Sequence, residues 1–258
     1  MMMDESDVRL IHGDCLDVMA GMEEKSVDLV LADLPYAVTA NRLDVRIPFA
    51  PLWERLKRVA KDNAVIALFA QGLFYVDLVN SNRDMFKYDL VWDKVLTTGF
   101  LNAKRMPLRR HEQIAVFYKG TPKYRPQFSV GEPSHSRGTK CFEKPVTNRN
   151  YGEFRAVETE LTGRKHPTSI LRFRKPHPSV AKHRTEKPHE LLEWLIKTYT
   201  DEGDVVLDCT AGSFSCGVAA VGCGRRFVGI EKDEETFRKG RDRVLAEMGS
   251  TPLFGGIM

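Results

Sequence analysis

Val205-Val206-Leu207-Asp208-Cys209-Thr210-Ala211-Gly212-Ser213-Phe214-Ser215 decides the fold class. An apolar run ends in an acid, and small residues then lead into a second apolar stretch at 216–222. The pattern predicts a strand, a tight turn and a helix. Small residues let a backbone approach a ligand closely, and a helix start offers free N–H groups. The next apolar run ends in Glu231, 23 positions after Asp208. An acid about 20 residues beyond such a turn is where a nucleoside-binding α/β unit holds ribose hydroxyls. The turn is not G-x-G-x-x-G, which counts against a dinucleotide. Taken without Glu231, it reads equally well as an ordinary strand–helix connection.

Working outward, apolar runs at 8–12, 27–32, 64–70, 88–92, 113–118, 205–208 and 227–231 suit strands, several of them buried on both faces of a parallel sheet. Helices are expected at 48–60, which opens on Pro48, and at 188–200, where Leu192, Leu195, Ile196 and Tyr199 recur at helical spacing. A third, at 232–248, is charged on most faces. The alternation predicts a doubly wound, mostly parallel α/β domain. Residues 121–187 break the rhythm: Gly, Pro, Ser and basic residues with one strand candidate at 169–174. The expected division is therefore 1–120 and 188–258 as two halves of one α/β domain, with 121–187 as an insertion.

At 258 residues, 42% of them hydrophobic and 29% charged, the composition is that of a globular chain with one large domain. No apolar run approaches the ~18 residues of a membrane span, and the polar, acidic start is unlike a secretory signal. Five cysteines without C-x-x-C pairing read as reduced thiols in a cytoplasmic protein, not a disulfide frame or a metal site. The net charge of +4 is unevenly spread. Residues 121–187 hold 15 Lys and Arg against 6 Asp and Glu, whereas 1–120 hold 16 against 17 and 188–258 hold 8 against 12. A basic internal segment is the footprint of a nucleic-acid surface or of a merely solvated face.

Two further strand ends carry acids. In Asp33-Leu34-Pro35-Tyr36, the carboxylate accepts hydrogen bonds from an amino group, Pro35 fixes the backbone so that a carbonyl points outward, and Tyr36 offers a flat face. Alone, this is also a plain Pro-containing turn. His12-Gly13-Asp14-Cys15 reads as a common structural turn.

Together these segments resemble the site-specific DNA amino-methyltransferases that use S-adenosylmethionine. Asp33-Leu34-Pro35-Tyr36 is similar to the D-P-P-Y catalytic motif, with Leu34 for the first proline as in the D-L-P-Y branch, which includes phage-borne adenine enzymes. Asp208 to Cys216 resembles the cofactor motif D-x-F-x-G-S-G-T-T, and Thr185-Glu186-Lys187-Pro188 the T-x-K-P segment. Trp92-Asp93-Lys94, Leu101-Asn102-Ala103-Lys104, His111-Glu112 and Tyr124-Arg125-Pro126-Gln127 match as well. Catalytic motif first and cofactor motif last is the permuted order of the beta group. The similarity spans roughly Arg9 to Val244. Phe214 stands where a glycine is usual and is expected to crowd the methionine part of the cofactor or pack along it; Cys216 replaces a threonine.

The resemblance implies a permuted Rossmann-like methyltransferase fold and methyl transfer to adenine N6 in duplex DNA by base flipping. It assigns Asp33, Pro35 and Tyr36 to catalysis. To the cofactor it assigns Glu231 at the ribose, Asp14 near the adenine, Asp208, Thr210, Ala211, Gly212, Ser213 and Phe214 along the turn, and Thr185 with Lys187 as a closing segment. Arg164, Lys165, Arg172 and Arg174 are the expected DNA contacts in the basic insertion. Double-stranded DNA is the implied partner, with no membrane; a homodimer and a cognate restriction enzyme stay open. Cytosine-N4 transfer and a catalytically silent DNA-binding module are the competing readings, and an NAD oxidoreductase fares worst.

Overall fold

The structure is a computed structural model that describes residues 7–38, 44–131, 146–148, 152–154, 163–175 and 186–250. The chain divides into a main unit, Met1–Arg125 with Ser169–Met258, and a second unit, Pro126–Thr168.

In the main unit, β1 (Val8–His12), α1 (Cys15–Gly21), β2 (Val27–Asp33), α2 (Phe49–Val59), β3 (Ala60–Ala70), α3 (Gly72–Ser81), β4 (Phe86–Thr98) and β5 (Arg109–Phe117) come first. The second unit holds β6 (Ser129–Val130), β7 (Val146–Asn148), β8 (Gly152–Phe154) and β9 (Arg164–Lys165). The chain then returns through β10 (Ile170–Arg172), α4 (His189–Tyr199), β11 (Val205–Asp208), α5 (Ser215–Gly222), β12 (Arg226–Glu231) and α6 (Glu234–Ser250).

The main sheet runs β1-β12-β11-β2-β3-β5-β4-β10. Of its strands, only β5 is antiparallel to its neighbours. Alternation along β2 explains the layering. Leu29 and Leu31 enter the core formed with α4 and α5, while Val30 and Ala32 enter the core with α1, α2 and α3. Both faces are therefore covered, as the continuous apolar runs require. Each such Val or Leu, fully buried, contributes about 1.5–3 kcal/mol. Pro48 and Pro188 sit at the entrances of α2 and α4, with φ near the value the pyrrolidine ring imposes.

The basic stretch is divided differently from the sequence expectation of one 121–187 insertion. Pro126–Thr168 separates, but β10 pairs with β4 at the edge of the main sheet. Leu171 is buried there, and Trp92 Nε1 donates to the Phe173 carbonyl at 2.8 Å. The strand expected at 169–174 is thus present as β10, and it belongs to the main sheet and not to an insertion.

Candidate active site

β11 leads across the sheet to β12 on one side, and β2 to β3 on the other, so the chain switches direction between two adjacent strands. Ligands of open α/β sheets sit at such a switch, beyond the carboxyl ends of the strands. Asp208 ends β11 and Asp33 ends β2.

Asp33 is held on three sides. The Tyr36 hydroxyl donates to its Oδ1 at 2.7 Å. The Lys187 ammonium donates to its Oδ2 at 2.6 Å. The Thr210 hydroxyl, from the turn after β11, donates to its main-chain carbonyl at 3.1 Å. Leu34 is buried at 3% exposure and anchors the loop. The Tyr36 ring packs against Phe74 with centroids 4.8 Å apart, so one ring face is covered by α3. Burial and the Asp33 carboxylate push the Tyr36 hydroxyl well above its usual range, so it stays a proton donor.

Lys187 also lies 3.2 Å from Glu112 Oε2, and Lys94 donates to Glu112 Oε1 at 3.1 Å. Asp33, Lys187, Glu112 and Lys94 thus alternate in sign across β2, β5 and β4. Burial alone would push Lys187 down, but Asp33 and Glu112 hold it above the ordinary lysine value. Burial would raise Glu112, and Lys187 and Lys94 outweigh it, so Glu112 titrates low. Phe69 roofs the site, with the Lys187 ammonium 4.8 Å from its ring centroid. Glu112, Lys94 and Phe69 lie outside the residues expected at the site, although the first two fall in segments that carried the resemblance.

The turn after β11 is compact. Asp208 accepts from the Thr210 N–H at 3.1 Å, and Gly212 adopts a φ of +51°, the left-handed region that suits glycine. Glu231 ends β12 and accepts from Gly212 N–H and Asp233 N–H, each at 2.8 Å. A cavity of about 160 Å³ opens here, lined by Asp33, Phe69, Glu186, Lys187, Asp208, Thr210, Ala211, Gly212 and Ser213 among others. Burial pushes the Asp208 carboxyl up to about 8. Arg243 of α6 pairs with Glu186 and donates to the Ser213 carbonyl at 3.3 Å, tying the last helix to the cavity wall.

Among the described residues, Phe214, Asp14 and Glu231 are not part of the cavity lining. Phe214 is fully buried with a left-handed φ of +56°, and its ring packs edge-on against Phe227 and Phe237. Gly229 and Gly240 make room for it, since a Cβ at either would collide with the ring. The aromatic ring is thus core between β12 and α6, not a wall against the methionine part. Asp14 caps α1, accepting from the Leu16 N–H at 2.9 Å, and pairs with Lys232 at 3.0 Å; it too is off the cavity. Thr185 lies outside the described residues. Among the expected DNA contacts, Arg164 and Lys165 form β9 in the second unit, where the Arg164 guanidinium stacks 4.0 Å over the Phe128 ring. Arg172 ends β10 in the main sheet, opposite Asp93, with Arg174 just beyond.

A mostly parallel sheet with helices on both faces, and acids at adjacent strand ends around a small-residue turn, defines a Rossmann-like S-adenosylmethionine-dependent methyltransferase. Residues 27–241 match the DNA methylase family of the N6/N4 type, and the chain belongs to that family. The type II methyltransferase M2.DpnII of Streptococcus pneumoniae is 43% identical over 264 residues, covering 92% of this chain and 90% of that protein. The DNA adenine methyltransferase YhdJ of Escherichia coli K12 is 27% identical, covering 91% and 82%. TTHA0409 of Thermus thermophilus, solved in complex with S-adenosylmethionine, shares the fold with a TM-score of 0.59 at 18% identity over 96% of each chain.

The protein is therefore an S-adenosylmethionine-dependent DNA methyltransferase. Its residues suit that cofactor chemically: a sulfonium and an ammonium are cationic, and Glu186 and Asp33 put carboxylate side chains on the cavity wall, where Asp208 adds a hydrogen-bonding carboxyl group. No helix among the described residues is long and apolar enough to cross a membrane.

Proposed function

We propose that the protein methylates the exocyclic N6 amino group of adenine in duplex DNA, with Asp33 as the residue that receives the target amine. The observation that carries this reading is Asp33 itself, at a strand end, 2.6 Å from the Lys187 ammonium, and bordering the cavity that Asp208 and the 210–213 turn line.

When bound, S-adenosylmethionine supplies an electrophilic methyl group on its sulfonium. The chain's own residues orient the nucleophile. An aromatic amine is a poor nucleophile because its lone pair is delocalised into the ring. The Asp33 carboxylate and a main-chain carbonyl at Leu34 or Pro35 accept its two N–H bonds and return electron density to nitrogen. The effect is one of orientation and electrostatics. Lys187 and Tyr36 hold the Asp33 carboxylate in place, and the Tyr36 ring stacks on a flipped base. Thr210, Ala211, Gly212 and Ser213 shape the cofactor wall, and Lys187 closes it. Glu231 takes the ribose hydroxyls with lone pairs that its two backbone contacts leave free.

Arg164 and Lys165 in the second unit, and Arg172 and Arg174 at the sheet edge, are proposed to contact DNA phosphates or base edges. Adenine is favoured over cytosine-N4 by the acidic first residue of the motif and by the adenine-specific name of YhdJ. The type II names of M2.DpnII and M.HpaI favour a cognate restriction enzyme as partner.

The test is mass spectrometry of nucleosides from DNA incubated with the protein and S-adenosylmethionine. N6-methyladenine is expected. N4-methylcytosine alone would overturn the choice of base, and no methylated nucleoside would overturn the reading.

A further inference from the structure

The tip of the β4–β5 hairpin exposes a cluster of large apolar side chains. Leu101 is 98% exposed, Phe100 80% and Met106 58%. Isolated exposed apolar residues are ordinary, but three large ones within seven positions are a patch that calls for a partner.

The topology places this patch on the side of the catalytic edge. Asp33 is level with Phe69 on β3, Phe69 with Ile114 on β5, and Ile114 with Leu90 on β4. β4 then continues from Val91 to Thr98 before the tip begins. Because β4 bulges between Asp93 and Thr98, and Thr98 pairs with Arg109, the tip begins five β5 residues, about 17 Å, beyond the level of Asp33. The tip therefore stands out in the direction from which a duplex must approach, farther than the ~8.5 Å depth of a major groove.

Two more features bear on the occupant. Between Gly99 and His111 the sequence carries Lys104, Arg105, Arg109 and Arg110 and no acid. Arg110 is spent on Asp93, but Lys104, Arg105 and Arg109 surround the apolar tip as exposed cations. An apolar protein partner has no need of that rim; a polyanion does. The tip is also built, not loose. Asn102 N–H bonds the Gly99 carbonyl at 2.9 Å, Ala103 N–H the Phe100 carbonyl at 3.0 Å, and Arg105 N–H the Asn102 carbonyl at 2.8 Å. Phe100 and Leu101 are thus presented on an ordered turn and lose little freedom on binding.

We propose that Phe100 and Leu101 form a wedge that enters the DNA base stack beside the target, while Lys104 and Arg105 hold the flanking phosphates. Apolar side chains inserted between base steps unstack them and kink the duplex. Here the wedge fills the space that the flipped base leaves, so its task is to hold the base out and not to perform the chemistry. The proposal rests on the chain acting on duplex DNA.

The test uses the full chain and two synthetic duplexes carrying the methylated site, located beforehand by long-read sequencing of DNA treated with the wild type. In one duplex the target base is paired. In the other it faces an abasic site and is already unpaired. Phe100→Ala/Leu101→Ala is expected to slow transfer to the paired duplex by about tenfold or more and to stay within about threefold of wild type on the abasic duplex, because the unpairing cost is then absent. Lys104→Gln/Arg105→Gln is expected to weaken binding to both duplexes alike and to flatten the salt dependence. Equal losses of the wedge variant on both duplexes, or no loss on either, would overturn the wedge. A wild type that transfers to neither duplex would instead remove the functional reading beneath it.

Discussion

The Lys187 ammonium is shared between two carboxylates, Asp33 at 2.6 Å and Glu112 at 3.2 Å, on opposite sides of β3. Removing the cation leaves two acids facing one another in a site that is only 13% exposed at Glu112. Breaking a buried pair from one side typically costs about 3–5 kcal/mol. Lys187→Met is therefore expected to lower the thermal midpoint. The sign for stability follows from the shifts. Lys187, raised, contributes below its unfolded value and loses that contribution only as pH rises through its folded one. Glu112, lowered, contributes above its unfolded value and loses that as pH falls through its folded one. The wild-type advantage over Lys187→Met is thus full between about pH 5 and 10. Midpoints measured across that range that match in the two proteins would contradict the shared-cation account.

Tyr36 plays two separable parts. Tyr36→Phe keeps the ring on Phe74 and loses the bond to Asp33; a net hydrogen bond to a charged group is worth about 1.5–3 kcal/mol. Transfer is expected to fall by about tenfold to a hundredfold, with DNA affinity little changed. Tyr36→Ala removes the ring as well and is expected to weaken DNA binding too, since base stacking contributes about 1–3 kcal/mol. Rates and affinities measured together separate the two effects; a Phe variant as damaged in binding as the Ala variant would contradict the division.

Phe214→Gly installs the residue usual at this place in related motifs. Relief of the left-handed backbone is worth about 1–2 kcal/mol, whereas emptying a fully buried aromatic site costs about 3–5 kcal/mol. The loss wins, so denaturant unfolding should show destabilisation by roughly 2–3 kcal/mol. Cofactor affinity of the folded protein should change by less than about threefold, because the ring is absent from the cavity wall. A stabilised variant would contradict the placement.

Asp208 holds its proton up to about pH 8 in the folded protein. The folded state binds more protons than the unfolded one between about pH 4 and 8, so stability falls as pH rises through that window. Asp208→Asn keeps an acceptor for the Thr210 N–H and has no proton to lose. Its melting temperature should exceed that of wild type at pH 8 by a few degrees, with the gap closing towards pH 5. Parallel curves would mean that Asp208 is ionised and paired throughout.

Strand ends and turns were legible in the sequence because their chemistry is local. Asp33 to Tyr36 and Asp208 to Ser213 each combine a strand-terminal acid with small or rigid residues, Glu231 ends an apolar run 23 positions after Asp208, and the structure puts all three acids at carboxyl ends. The Glu112–Lys187 contact was not legible, because Lys94 and Glu112 are 18 positions apart and far from Lys187 in sequence, and only the pairing of β4 with β5 brings them together. Phe214 was misplaced because sequence alone cannot tell which way a left-handed turn aims its side chain. α3 was not forecast either: Gly72 to Ser81 carries no capping side-chain bond to announce it.

The central claim is that Asp33 receives the target amine while the rest of the chain binds cofactor and DNA. Transfer of labelled methyl groups from S-adenosylmethionine to DNA, compared in wild type and Asp33→Ala with cofactor affinity measured on the same samples, tests it most directly. The account predicts labelled N6-methyladenine from the wild type, at least a hundredfold less from Asp33→Ala, and cofactor affinities within about threefold of each other. An Asp33→Ala protein that methylates DNA at close to the wild-type rate, with its cofactor still bound, would contradict it.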